Sequence, residues 1–187
     1  MEKIGIFPLK LVLFPESVLP LHVFEERYKK LISECREGEE VFGIVLSQPE
    51  IRDVGCTAKV TKIIREYDDG RLDILVEGEK RYNLKDYMKG PDGYYVGEVD
   101  YFYDADKGYD YDLLRECIGS YNRIVDSMDE LRVDKLTVAD IATETPSFML
   151  AQKSGLDLDR RQELLTLNSE NRRLALIKFH LQQILPM

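Results

Sequence analysis

The chain has 187 residues and a formal net charge of −9, with 44% apolar and 33% charged residues. A chain of this size and mix buries enough apolar surface to fold as one large domain or two small ones without disulfides or metal, which excludes a long multi-domain machine. The acidic excess is shared, −6 over residues 1–104 and −3 over residues 105–187, so neither half has the Lys/Arg surplus that neutralising phosphates requires, and nucleic acid and anionic membranes are disfavoured as partners.

In chain order, residues 4–9 and 10–14 are short apolar runs closed by Pro8 and Pro15, and Pro20 closes a third. Proline fixes φ and lacks a ladder donor, so brief strands at edges or bends are predicted. From Phe24 the period becomes helical: Phe24, Tyr28, Leu31, Ile32 and Cys35 share one face, and Glu25, Glu26, Lys29, Lys30 and Glu34 the other, predicting an amphipathic helix that ends near Gly38. Residues 41–46 read as a buried strand. Val54, Cys56, Ala58 and Val60 alternate with polar residues until the phase slips near Lys62, which suggests a bulge. Asp69-Gly70 is a hairpin signal, and Leu72, Ile74 and Val76 form the buried face of the return strand. Two further strands, 80–86 and 94–103, flank a turn at Gly90-Pro91-Asp92-Gly93. Short strands with non-helical connections predict a small mixed barrel.

Residues 104–112 are acidic and aperiodic and form the predicted linker between a domain of residues 1–104 and one of residues 105–187. The rest reads as helix. Leu114, Cys117, Ile118, Tyr121, Ile124, Val125, Met128 and Leu131 make an apolar stripe. Thr137 with Asp140 and Asp159 with Gln162 resemble capping boxes, Pro146 suits a first helical position, and Gly155 suits a helix end. The last helix is expected to bury Leu174, Ile177, Leu181, Ile184 and Leu185. Cys35, Cys56 and Cys117 are odd in number, far apart and without C-x-x-C spacing, so they read as reduced intracellular thiols. With no cleavable leader pattern and no uncharged apolar run of about 18 residues, the expected location is the cytoplasm.

Phe7-Pro8-Leu9, Leu13-Phe14-Pro15, Leu19-Pro20-Leu21-His22-Val23-Phe24-Glu25 and Arg27-Tyr28 occur in order. They are followed by Phe42-Gly43-Ile44-Val45, Val54-Gly55-Cys56-Thr57-Ala58, Asp69-Gly70-Arg71, Val76-Glu77-Gly78 and Arg81, and then by Leu156-Asp157-Leu158, Gln162-Glu163-Leu164-Leu165 and Arg173-Leu174. In order and spacing this set resembles the Lon N-terminal domain family, the substrate-binding domain of the ATP-dependent protease Lon, which also occurs in shorter stand-alone proteins. The resemblance implies an α+β fold, a PUA-like mixed pseudo-barrel followed by a helical bundle, in a stand-alone member without ATPase or protease domains. Glu16 departs from the family, many members of which have Gly after the second Phe-Pro.

The residues themselves offer little chemistry. Neither G-x-x-x-x-G-K-[ST], G-x-G-x-x-G nor H-E-x-x-H occurs, and Lys153-Ser154 lies at an ordinary helix end. His22 and His180 are lone histidines among apolar neighbours and read as structural. Tyr94, Tyr95, Tyr101, Tyr103, Tyr109 and Tyr111 could form a stacking platform, but the nearby Asp100, Asp104, Asp106, Asp110 and Asp112 would repel phosphates. Catalytic residues, cofactor and metal are therefore all expected to be absent. The resemblance implies non-catalytic recognition of exposed apolar segments of client polypeptides, through a groove between barrel and helical parts. The candidate residues are Pro20, Phe24, Glu26, Arg27, Tyr28 and Lys30, with an i, i+4 pair Glu26 to Lys30 as the plain surface alternative for that helix face. An RNA-binding PUA-like module, which would need a basic patch, and an enzyme are the alternative classes.

Overall fold

The computed structural model describes residues 1–38, 40–106, 108–128 and 133–185, and the chain divides into two compact units, Met1–Phe102 and Tyr103–Met187. The first contains β1 (Glu2–Leu9), β2 (Val18–Val23), α1 (Glu26–Gly38), β3 (Phe42–Ser47), β4 (Ile51–Glu66), β5 (Leu72–Lys89) and β6 (Tyr95–Tyr101). The six strands run in the order β2-β5-β4-β3-β1-β6, and β5 also pairs with β6, so five strands close into a barrel and β2 is left on the rim. All pairings are antiparallel except β1 with β3.

The long strand β5 makes this closure possible. Residues 72–77 pair with β2 and residues 82–89 with β6, while β4 holds the opposite edge. The sequence reading has two strands here, a return strand with Leu72, Ile74 and Val76 and a separate one at 80–86; the backbone instead runs through as one strand. At the gap between β2 and β6 the edge of β5 is taken by the preceding loop: Glu16 N–H donates to Gly78 O at 2.8 Å and Gly78 N–H to Ser17 O at 2.9 Å. A Cβ on Gly78 would stand 2.2 Å from Phe14 O, so only glycine admits so close an approach. Residues 10–14, expected as a strand, form no ladder; Val12, Leu13 and Phe14 are apolar because they plug the core, not because they pair. Pairing in β4 shifts between Val60 and Lys62, where the phase slips, and also at Cys56/Ala58 and Ile63/Arg65. The β4–β5 hairpin closes with Gly70 at φ +78° and Gly70 N–H donating to Tyr67 O at 2.8 Å.

Helix α1 presents Tyr28, Leu31, Ile32 and Cys35 to a core shared with Phe7, Val23, Phe42, Ile74 and Val76. Phe24, expected on this stripe, lies before the helix and is 60% exposed. The periodicity begins two residues too early, in the link between β2 and α1.

The second unit contains α2 (Tyr111–Asp126), a 3-10 turn (Val138–Ile141), α3 (Pro146–Lys153), α4 (Leu158–Thr166) and α5 (Glu170–Ile184). Asp110 caps α2 through Asp112 and Leu113 N–H, Thr137 and Asp140 form a capping box, and Pro146 opens α3. For α4 the cap is Asp157, which accepts from Arg160 N–H, rather than Asp159, which sits inside the first turn. α2 stops at Asp126, so Met128 is exposed, and Leu131 lies outside the described residues. Leu174, Ile177 and Leu181 are buried on α5 as expected, whereas Ile184 is exposed in its last turn and Leu185 half-buried. The largest fully buried side chain of α5 is charged: Arg173, at 0% exposure.

Candidate functional site

The candidate residues gather where the rim strand β2 runs into α1. β2 is hydrogen-bonded to β5 on one edge only, and Pro20 sits mid-strand opposite Leu75, a position that proline tolerates in an edge strand. Val18, Pro20 and His22 are exposed on this strand, with Val18 56% accessible. Phe24 continues the exposed line and lies 5.9 Å from the His22 ring. The result is a short apolar edge in water, Val18, Pro20 and Phe24, of a kind that strands normally cover or charge.

The charged candidates flank this edge and are already paired. Glu26 is 88% exposed by side chain and bonds Lys29 at 2.7 Å, while Lys29 also donates to Asp69 O at 2.9 Å. Lys30 pairs with Glu34 at 3.0 Å, so the ion pairs on α1 are Glu26–Lys29 and Lys30–Glu34, not Glu26–Lys30. Arg27 bonds Glu25 at 2.7 Å and lies over the Tyr28 ring at 4.6 Å. Tyr28 itself is buried and stacks on Phe7, with centroids 3.8 Å apart. The structure therefore brings Pro20 and Phe24 to one edge, sets Glu26, Arg27 and Lys30 on the adjoining helix, and turns Tyr28 into the core.

Three further features of the first unit escaped sequence reading. One is Val18, whose exposure follows from the rim position of β2. Another is a cluster at the far end of β2: His22 Nδ1 lies 2.6 Å from Asp73 Oδ1, Tyr67 donates to Asp73 Oδ2 at 2.8 Å, and Arg65 and Arg71 lie 4.4 and 4.8 Å from the Tyr67 ring. The bonds from His22 and then Tyr67 hold the Asp73 carboxyl below its ordinary value. The third is a cleft of about 520 Å³ lined by Gly5, Leu31, Glu34, Lys80, Tyr94 and Tyr101 among others. There Tyr94 donates to Glu34 at 2.6 Å, and that bond, then Lys30, pulls the Glu34 carboxyl down. Only the pairing of Glu34 four residues after Lys30 could have been read from sequence.

Other residues weighed for chemistry are engaged structurally. Burial pushes Cys35 up to about 11 and Cys117 up to about 12, and it raises Cys56 further, so none is a thiolate at neutral pH. His180 Nε2 lies 2.9 Å from Ser154 O, and Ser154 donates to Leu150 O at 2.6 Å, a helix-end contact. The tyrosines are engaged separately within each unit. Tyr94 is tied to Glu34, Tyr109 and Tyr111 stack on one another at 6.3 Å, and Tyr103 is exposed. Among the described residues no three His, Cys, Asp or Glu side chains converge as a metal-binding set, and no helix is long and apolar enough to cross a membrane.

A model of the ATP-dependent protease La (LON) substrate-binding domain matches residues 3–183. The Lon protease of Flavobacterium johnsoniae is 24% identical over 186 residues, covering 87% of this chain and 22% of the relative. Lon protease 2 of Syntrophobacter fumaroxidans is 29% identical over 109 residues, 53% of this chain and 14% of the relative. The chain thus spans at most 22% of the length of these curated relatives. Among solved structures, a Lon N-terminal domain protein from Xanthomonas campestris superposes with a TM-score of 0.74 at 22% identity and full coverage of both chains. The N-terminal domain of the Mycobacterium avium complex Lon protease gives 0.72 at 14% identity, covering 98% of this chain and 100% of its own. These likenesses carry the fold, an α+β arrangement of mixed sheet and helices. With its family model running from residue 3 to residue 183, the chain belongs to the LON substrate-binding domain family.

Proposed function

We propose that the protein is a non-catalytic recognition module that binds exposed apolar segments of polypeptides along the rim of β2 and the start of α1. Membership of a substrate-binding family supports polypeptide as the ligand class. The observation that carries the location is the exposed apolar line Val18, Pro20 and Phe24 on a strand with one unpaired edge. An extended chain can add to such an edge through main-chain hydrogen bonds, and alternate side chains then meet apolar contacts. Pro20 offers no N–H, so strand addition there is interrupted and side-chain contact with Phe24 and Val18 dominates. Pro20 and Phe24 make the apolar contact, Arg27, Glu26 and Lys30 border it, and Tyr28 supports Arg27 from beneath. The module acts in the cytoplasm, neither hydrolyses ATP nor cleaves peptides, and does not take RNA, since the chain is acidic and has no phosphate-binding loop.

The test is fluorescence anisotropy with a labelled uncharged apolar peptide and a labelled single-stranded RNA, each at two salt concentrations. Apolar burial is nearly indifferent to ionic strength, so peptide affinity should hold between about 50 and 200 mM salt, a range over which phosphate contacts lose orders of magnitude. Phe24→Ser should weaken the peptide by roughly fivefold to thirtyfold, the loss of part of an exposed aromatic contact, and leave the thermal midpoint unchanged. Salt-sensitive RNA binding without a peptide signal would overturn the reading.

A further inference from the structure

Beside the C-terminal half of α1 a second cleft, of about 390 Å³, opens against β4, lined by Cys35, Arg36, Glu40, Lys59, Val60, Thr61, Lys62 and Ile63. Its charge is opposite to that of the molecule. Three cations, Arg36, Lys59 and Lys62, meet one carboxylate, Glu40, in a chain of net charge −9. All three cations are exposed, and none makes an ion pair among the described residues, whereas Lys29, Lys30 and Arg27 on the same helix are each paired within the chain. The nearest cross-strand carboxylate, Glu77 opposite Lys59, forms no such pair. The register shift between Val60 and Lys62 breaks strand alternation at the cleft, a common way for a sheet to re-aim a side chain.

We propose that this cleft is a specificity subsite for an acidic residue of the bound polypeptide, an Asp or Glu flanked by apolar side chains, so that the module prefers apolar segments carrying a carboxylate. The inference rests on the polypeptide reading above. The floor favours a side chain over a bare anion: Val60 and Ile63 are half-buried and apolar, and Cys35 is buried and uncharged at neutral pH. The setting disfavours a dianionic phosphate. No helix N-terminus lines the cleft; it lies instead at the last turn of α1, where the backbone dipole is negative and the Cys35 carbonyl is already taken by Glu40 N–H at 2.8 Å. A singly charged carboxylate between three exposed cations meets less repulsion from that negative helix end than a dianionic phosphate.

The experiment uses the full chain and two labelled peptides of one apolar sequence, the first carrying two Glu and the second Gln in their place. The Glu peptide should bind about tenfold more tightly at low salt, the sum of a few partly exposed ion pairs, and lose that advantage at high salt. Lys59→Glu with Lys62→Glu should abolish the preference while leaving the Gln peptide unchanged. Should that pair fail to fold, Lys59→Gln with Lys62→Gln, judged by an unaltered thermal midpoint, takes its place. Equal binding of the two peptides by the wild type, or a preference that survives in the variant, would overturn the subsite and leave the polypeptide reading standing. Failure of both peptides to bind would overturn the reading on which it rests. Inorganic phosphate displacing the Glu peptide at concentrations where acetate does not would overturn the carboxylate assignment.

Discussion

Arg173, fully buried in the second unit, gathers a dense set of polar contacts. Its guanidinium donates to Asp104 Oδ1 at 2.7 Å, Leu167 O at 2.7 Å, Ser147 Oγ at 2.8 Å and Glu170 Oε2 at 2.5 Å, makes a further bond to Asp104, and lies 4.4 Å from the Phe148 ring. Burial opposes its charge, yet the bond to Asp104 and the field of Glu170 outweigh that and raise its pKa. Removing one member of such a set leaves buried charge uncompensated. Arg173→Met should therefore cost about 3–5 kcal/mol in urea unfolding followed by circular dichroism, and a loss below about 1 kcal/mol would place the cluster among ordinary surface pairs. None of this was legible beforehand, because an Arg on an amphipathic pattern reads as solvated and its partner Asp104 lies 69 positions away. Glu16 was legible in part. Its position after Phe14-Pro15 departs from the glycine that the resemblance implies, and it adopts φ +61°, the left-handed region that side chains resist. Glu16→Gly should relieve that strain against some added chain entropy, a net gain of about 0.5–1 kcal/mol read as a higher thermal midpoint.

At the scale of elements, patterns that depend on local chemistry were readable and those set by tertiary pairing were not. The Asp69-Gly70 hairpin, the buried face of α1, the Thr137–Asp140 box and Pro146 each rest on spacing of a few residues. By contrast, the continuity of β5 through Gly78 depends on the loop at residues 14–17 docking from a distant part of the chain, and the irregular path of residues 10–14 depends on the same contact. Gly78→Ala tests that contact, since its Cβ would meet a backbone oxygen that cannot rotate aside. The expected cost is about 1–3 kcal/mol, with accelerated amide exchange at Glu16. Gly119 serves as the control. It lies within α2 with nothing within 4 Å of a built Cβ, so Gly119→Ala should stabilise by up to about 1 kcal/mol. Equal effects at the two positions would refute the close-approach argument.

For the whole molecule, composition and order of motifs lead to the family, and the structure adds an exposed apolar line, Val18, Pro20 and Phe24, at the rim strand. The sequence pointed to Phe24 through a helical stripe on which it does not lie; the structure instead leaves it exposed just beyond the rim strand. Tyr28, named from the same stripe, is core. Pro20 signals an edge or bend by its own chemistry, whereas the exposure of Phe24 follows from sheet order and from where α1 begins, which no local pattern encodes. The β2–α1 corner is most directly examined by two-dimensional amide NMR of the labelled full chain titrated with an uncharged apolar peptide. The expected result is saturable shift changes centred on Val18 to Arg27, with Leu75 opposite Pro20 also affected through the ladder, and their loss in Phe24→Ser. Binding with shifts confined to residues 103–185, or an unchanged titration in the variant, would contradict the account.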